Sequence, residues 1–209
     1  MRLLVPVLML AGLASGCAVG NTHSYDDLLA SVSYQGSRKV AIGTEDQRPY
    51  VLNGDKGPQF VGLSRGGYGN PFSVTTTSGK PLADDLSVAL ERSLDAKGFD
   101  AVALTVGLRE DDAAVVAKAR ETGATRIVVL SLREWKSDTM MGTALLYGAA
   151  LRVLDASGAL LAESNIAGKD DLGGSALNPP KHARTAVPIA ARAKLEALLA
   201  DPAVAEALR

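Results

Sequence analysis

Residues 127–132 read Ile-Val-Val-Leu-Ser-Leu, an almost unbroken apolar run. A strand with one wet face alternates apolar and polar residues, whereas a continuous run belongs to a strand covered on both faces. The chain therefore has a central strand, and other elements must cover it. Residues 80–97 carry Leu82, Leu86, Ala89, Leu90 and Leu94 on one helical stripe. Pro81 suits the first turn, Asp84 and Asp85 the positive helix start, and Gly98 a left-handed stop with Phe99 packing back. Residues 112–122 read as a second helix, with Asp111 as N-cap and Gly123 as its end. A third helix covers residues 183–199, where Pro188 marks a kink or the true start. Asp201-Pro202 opens a last short helix to Leu208.

Residues 39–44 (KVAIGT) place Val40 and Ile42 on one side and read as a strand. Residues 50–52 and 59–63 are expected to pair as a hairpin around Asn53-Gly54-Asp55-Lys56-Gly57. Residues 65–72 (RGGYGNPF) read as a glycine-rich loop. Residues 101–106 form another strand. Residues 142–154 and 159–167 form an antiparallel pair turned by Asp155-Ala156-Ser157-Gly158, and residues 168–180 a polar loop. Met140-Met141-Gly142 turns between strands. The order predicts an α/β or α+β two-layer sandwich, with a mixed sheet of about four or five strands, a carboxy-terminal β-meander and helices covering it.

The amino end has a different character. Arg2 is followed by an apolar stretch over residues 3–13, then small residues, then Cys17, the only cysteine. That is the order of a secretory signal. The stretch is too short to span a bilayer, which takes about 20 residues. Small residues ending in Cys resemble the lipobox of bacterial lipoproteins, although Ala14 stands where Leu is commoner. The resemblance implies cleavage before Cys17, diacylglycerol on its sulfur and an acylated amino terminus. One acyl chain holds a protein only marginally, so three make the attachment effectively permanent. Ala18, in place of the Asp that retains lipoproteins in the inner membrane, implies the outer membrane and its periplasmic face. The expected organisation is a signal peptide at 1–16, a lipidated tether at 17–38 and one globular domain at 39–209. With Cys17 used for lipid, no internal disulfide can form.

The formal net charge is −1 and no long basic run occurs, which excludes nucleic acid as an expected partner. The two histidines, His23 and His182, lack a second His or Cys at ligand spacing, so no metal site is expected. Ser131 or Ser164 with His182 is the remaining hydrolase reading, but no nucleophile-elbow sequence supports it. Asp111-Asp112 is better read as helix capping and Asp170-Asp171 as a solvated loop. Asp46 and Arg48, where the first strand ends, read as a mutual pair, a turn anchor or a partner contact. The glycine-rich loop lacks the Gly-Lys-Ser/Thr ending of a phosphate loop, and no cofactor is expected. Arg65, Tyr68, Asn70 and Phe72 on it are candidate contacts, since exposed aromatics beside an Arg are the residue types enriched in binding hot spots. Trp135 reads as a cap at the core edge.

Asp46-Gln47-Arg48-Pro49 after the first strand, Lys97-Gly98-Phe99 after a helix, the β-meander and the Leu198-Leu199-Ala200-Asp201-Pro202 ending together resemble the YajG-type family of bacterial lipoproteins. The element order is also similar to the amino-terminal domain of TolB and to LpoB. The resemblance implies a protein-interaction role in the cell envelope, with an envelope protein or peptidoglycan component as partner and no catalysis. The alternative is a small-molecule or glycan-binding module closed by residues 64–72, in which Tyr50, Tyr68 and Trp135 would line a pocket.

Overall fold

The structure, a computed structural model, describes residues 20–209. Cys17, the expected signal peptide and Ala18 lie outside the described residues. The elements run β1 (Thr22–His23), β2 (Lys39–Asp46), α1 (Pro49–Leu52), β3 (Phe60–Arg65), β4 (Pro71–Thr76), α2 (Leu82–Asp95), β5 (Asp100–Leu104), α3 (Asp112–Thr122), β6 (Arg126–Thr139), β7 (Gly142–Asp155), β8 (Leu160–Gly174), α4 (Pro179–Leu199) and α5 (Pro202–Leu208).

The apolar run lies in β6, the strand that organises the sheet. β7 pairs antiparallel along one edge of β6 for nearly its whole length. The other edge is divided. β2 runs parallel to its first half, from Val40 opposite Arg126 to Asp46 opposite Leu132. β3 takes over at Gly62 opposite Ser137. Gly62 is required there, because a Cβ on it would stand 2.1 Å from Ser137 Oγ and 2.7 Å from Ser137 O. β5 pairs parallel with β2, β4 antiparallel with β3, β1 parallel with β4 and β8 antiparallel with β7.

The sheet thus has eight strands rather than four or five, and the expected two-layer sandwich does not hold. Helices cover both faces. Val40, Ile42, Val128 and Leu130 point into the larger core, under α2, α4 and α5. Ala41, Ile127 and Val129 point the other way, onto Val115, Val116 and Ala119 of α3. This period-two partition explains why residues 127–132 are apolar on both sides.

Helix ends follow the sequence closely. The Asp111 side chain accepts from Ala114 N at 3.0 Å, Gly123 ends α3 at φ 74, and Gly98 follows α2 at φ 91. Three expectations are corrected. Residues 50–52 form the short helix α1, because Pro49 sets a helical first turn and β3 finds partners in β4 and β6. Residues 168–174, expected as loop, extend β8, since β7 supplies partners up to Gly142 opposite Gly174. α4 starts at Pro179, earlier than expected, with Asn178 Oδ1 accepting from Lys181 N at 3.0 Å, and Pro188 sits inside it.

The stretch expected as tether is folded from Thr22 onward. Tyr25, Leu28, Ala30, Val32 and Tyr34 are buried in the larger core. Ala30 N donates to Ser93 Oγ of α2 at 2.9 Å. Arg38 Nε donates to Arg209 O at 2.6 Å, and the Arg209 guanidinium lies 5.5 Å from the Tyr34 ring centroid. Alternating apolar residues in a polar stretch hid this burial.

Candidate functional site

The glycine-rich segment is the tip of the β3–β4 hairpin. Arg65 stands opposite Pro71. Gly66 N donates to Asn70 O at 3.0 Å and Gly69 N to Gly66 O at 2.8 Å, with Gly69 at φ 82. The turn is closed by its own backbone, and its side chains are left outward. Tyr68 is 99% exposed and Phe72 60% exposed; Asn70 is exposed as well. Arg65 is committed to Asp138, with Nε donating to Oδ1 and Nη2 to Oδ2, both at 2.7 Å. That fork holds the Asp138 carboxyl below the usual carboxylate range. It also fastens the hairpin to β6.

The register carries more residues to this end. Ser64 opposite Thr139 brings the β6–β7 turn beside the tip. Met140 and Met141 are 46% and 68% exposed there. β8 ends at the same edge, and Ser175 N donates to Met141 O at 3.3 Å. Leu177, in the loop that follows, is 97% exposed. Sequence reading singled out Tyr68 and Phe72, treated Met140-Met141 as a turn and passed over Leu177. Only strand register unites them.

Asp46 and Arg48 are corrected as contact candidates. Both are buried, and they bind each other: Arg48 Nε donates to Asp46 Oδ1 at 2.7 Å and Nη2 to Oδ2 at 2.6 Å. The remaining guanidinium hydrogens reach Phe60 O at 2.6 Å, Pro58 O at 3.1 Å and Trp135 O at 3.2 Å. Burial opposes the charge on Arg48, but the Asp46 carboxylate outweighs it and raises the guanidinium above its ordinary value. The pair fills the interval on β6 between the end of β2 and the start of β3.

A cavity of about 620 Å³ opens at the carboxyl end of β2 beside the start of α3, lined in part by Glu45, Asp112, Ser131, Arg133 and Arg152. Sequence reading did not assemble it. Glu45 is buried and accepts from Ser131 Oγ at 2.7 Å, Gln47 Nε2 at 2.9 Å and Arg152 Nη2 at 3.1 Å. Arg152 also forms a two-pronged pair with Asp112. Burial pushes the Glu45 carboxyl up, while the hydrogen bond from Arg152 holds Asp112 down. The Glu45 carboxyl accepts three hydrogen bonds, so it is held in place by the fold rather than left open to solvent.

The other constellations are not assembled. His182 Nε2 lies 2.9 Å from Leu172 O, and Ser131 Oγ donates to Glu45, so Ser131 and His182 each have another partner. Asp170 binds Lys194 at 2.6 Å, whereas Asp171 accepts from Gly173 N at 2.9 Å, so the two carboxylates serve different partners. Trp135 is wholly buried and Tyr68 almost wholly exposed. Tyr50 donates to Glu134 Oε1 at 2.8 Å. The three aromatics proposed for a pocket therefore do not share one. Among the described residues, no group of three or more His, Cys, Asp or Glu side chains converges to hold a metal ion, and no helix is long and apolar enough to cross a membrane.

The fold and this hairpin end define an α/β domain on a mixed, curled sheet. Its likeness to solved structures is of fold. A Xanthomonas campestris protein of the DUF330 family superposes with a TM-score of 0.57 at 10% identity, over 88% of this chain and 96% of that one. PelC from Paraburkholderia phytofirmans, solved as a dodecamer, gives 0.39 at 15% identity over 82% and 94%. A lipoprotein from Neisseria meningitidis gives 0.33 at 11% identity over 77% and 99%. At the last two scores neither bears on what this chain does. No family model and no curated protein sequence matches the chain.

Proposed function

We propose that this chain is a lipid-anchored component of a bacterial cell envelope that acts by contact and carries out no turnover of its own. Cys17 is the anchor, and the outer membrane, on its periplasmic face, is the place. The lipobox-like amino end and the YajG-type resemblance support the address. The observation that carries the mode of action is the hairpin tip: a turn closed by its own backbone that presents Tyr68 and Phe72 to the outside. Aromatic side chains held out on an ordered tip favour contact, since contiguous exposed apolar surface marks interaction sites. The Arg65–Asp138 fork fixes the tip's orientation.

A photoreactive residue in place of Tyr68, activated in cells, tests this. An adduct to an envelope constituent at position 68, absent when the same group replaces Leu160 at the start of β8, supports the contact. Equal, background labelling at both positions overturns it. Retained mass and membrane recovery in Cys17→Ala would overturn the anchor.

A further inference from the structure

Resting on that reading, we infer that the hairpin end seats on the lipid surface itself, so that the anchored domain lies against the bilayer with its sheet end-on. The first support is composition at one place. The β3–β4 tip, the β6–β7 turn and the loop after β8 meet at one end of the sheet, and there Tyr68, Phe72, Met140, Met141 and Leu177 are all exposed. Tyr is suited to the headgroup level, where its ring is buried and its hydroxyl stays wet. Met and Leu carry no polar group and gain from insertion at the acyl boundary. Exposed Lys169 and Lys181 flank this end, with exposed Asp171 between them in the chain, so the rim is polar and carries both signs of charge while the apolar side chains supply the attraction. The nearby Asp138 charge is matched by Arg65.

The second support is independent: the direction of the chain. β1 runs parallel to β4, with Thr22 opposite Thr75. β4 begins at the tip, with Pro71 opposite Arg65. Reading backward from Thr22 therefore heads toward the tip. The described chain starts at Gly20, three residues after Cys17, and three residues reach at most about 11 Å. Because residues 22–38 are folded rather than slack, the anchor delivers this end, and not another, to the membrane. The opposite end, where β8 begins with Leu160 and Leu161, is turned away.

The test uses the full lipidated chain in vesicles of phosphatidylethanolamine and phosphatidylglycerol. Lipidation blocks the native thiol, so a nitroxide can be placed on Tyr68→Cys, Leu177→Cys or Leu160→Cys alone. Collisions with oxygen, which concentrates in lipid, are compared with those of a water-soluble nickel chelate. We expect the oxygen-to-nickel ratio at positions 68 and 177 to exceed that at 160 several-fold. Ratios at 68 and 177 equal to that at 160, on chains that float with the vesicles, overturn bilayer contact. A protein adduct at position 68 in cells would then leave the contact reading standing with a protein as its occupant. A native chain that fails to float defeats the anchor and this inference together.

Discussion

The guanidinium of Arg48 grips the carboxylate of Asp46 through two hydrogen bonds, of 2.7 and 2.6 Å, at a point where neither side chain meets solvent. All five N–H groups of Arg48 are used, three of them on the carbonyls of Pro58, Phe60 and Trp135. β2 leaves the edge of β6 at this place and β3 has not yet joined, so the pair satisfies backbone that no strand covers. Removing one member strands a buried charge. Arg48→Met is expected to destabilise the domain by about 3–5 kcal/mol. Arg48→Lys, with one ammonium in place of a planar fork, is expected to recover only part of it. Urea unfolding of the three proteins checks both.

His23 is buried on β1, with Nε2 3.0 Å from Ser137 Oγ and Arg184 adding an unfavourable positive charge. Burial lowers its pKa from 6.5 to about 4. The folded state therefore favours the neutral ring, and the unfolded state takes up a proton first as pH falls. Stability from this residue is complete above about pH 6.5 and drains away toward about pH 4, by about 3 kcal/mol in all. Asp85, raised to about 6 by burial, works in the opposite sense over nearly the same range. The informative quantity is the difference between the native chain and His23→Gln. The native chain should lose more stability than the variant between pH 7 and pH 4.5 in denaturant titrations; parallel curves would refute the assignment.

Gly62→Ala is expected to cost about 1–3 kcal/mol, since the added carbon meets Ser137 backbone that cannot swing aside. Gly67→Ala, where no atom lies within 4 Å of the added carbon, should change stability by less than about 0.5 kcal/mol. Thermal unfolding of the two variants side by side measures the contrast.

Tyr68→Ala, Phe72→Ala and Leu177→Ala remove little packing. Each is expected to leave unfolding within about 0.5 kcal/mol of the native chain. Combined, they should lower recovery of the chain's contacts without altering circular dichroism. A large loss of stability in the triple variant would mean that these side chains belong to the fold.

Much of the scaffold could be read from the chain because its signals are local. Asp111 and Gly123 bound α3, Pro81 and Gly98 bracket α2, and the run at 127–132 marks the strand covered twice. Strand β1 escaped because it depends on a partner far away in sequence, and β4 because its first residues sit in a glycine-rich stretch that reads as loop. β1 is two residues long and exists because β4 accepts it. The end of β8 looks like polar loop, yet β7 is long enough to pair with it. The same cause separates Tyr68, found from its glycine-rich setting, from Leu177, which becomes a neighbour only when β8 stops beside Met141. Of the readings open for Asp46 and Arg48, the structure has the mutual pair, and the gap in the sheet draws it in.

Tyr34 and Arg209 stack where the first core segment meets the last helix, and Arg38 is tied to the same residue. Ribosomes emit the amino end first, so Ser31, Tyr34 and Arg38 must wait for Glu196 and Arg209, which are made after the whole sheet. The domain is closed by a late clasp. Until it shuts, the larger core lacks one of its walls and the segment before β2 has nothing to lock against.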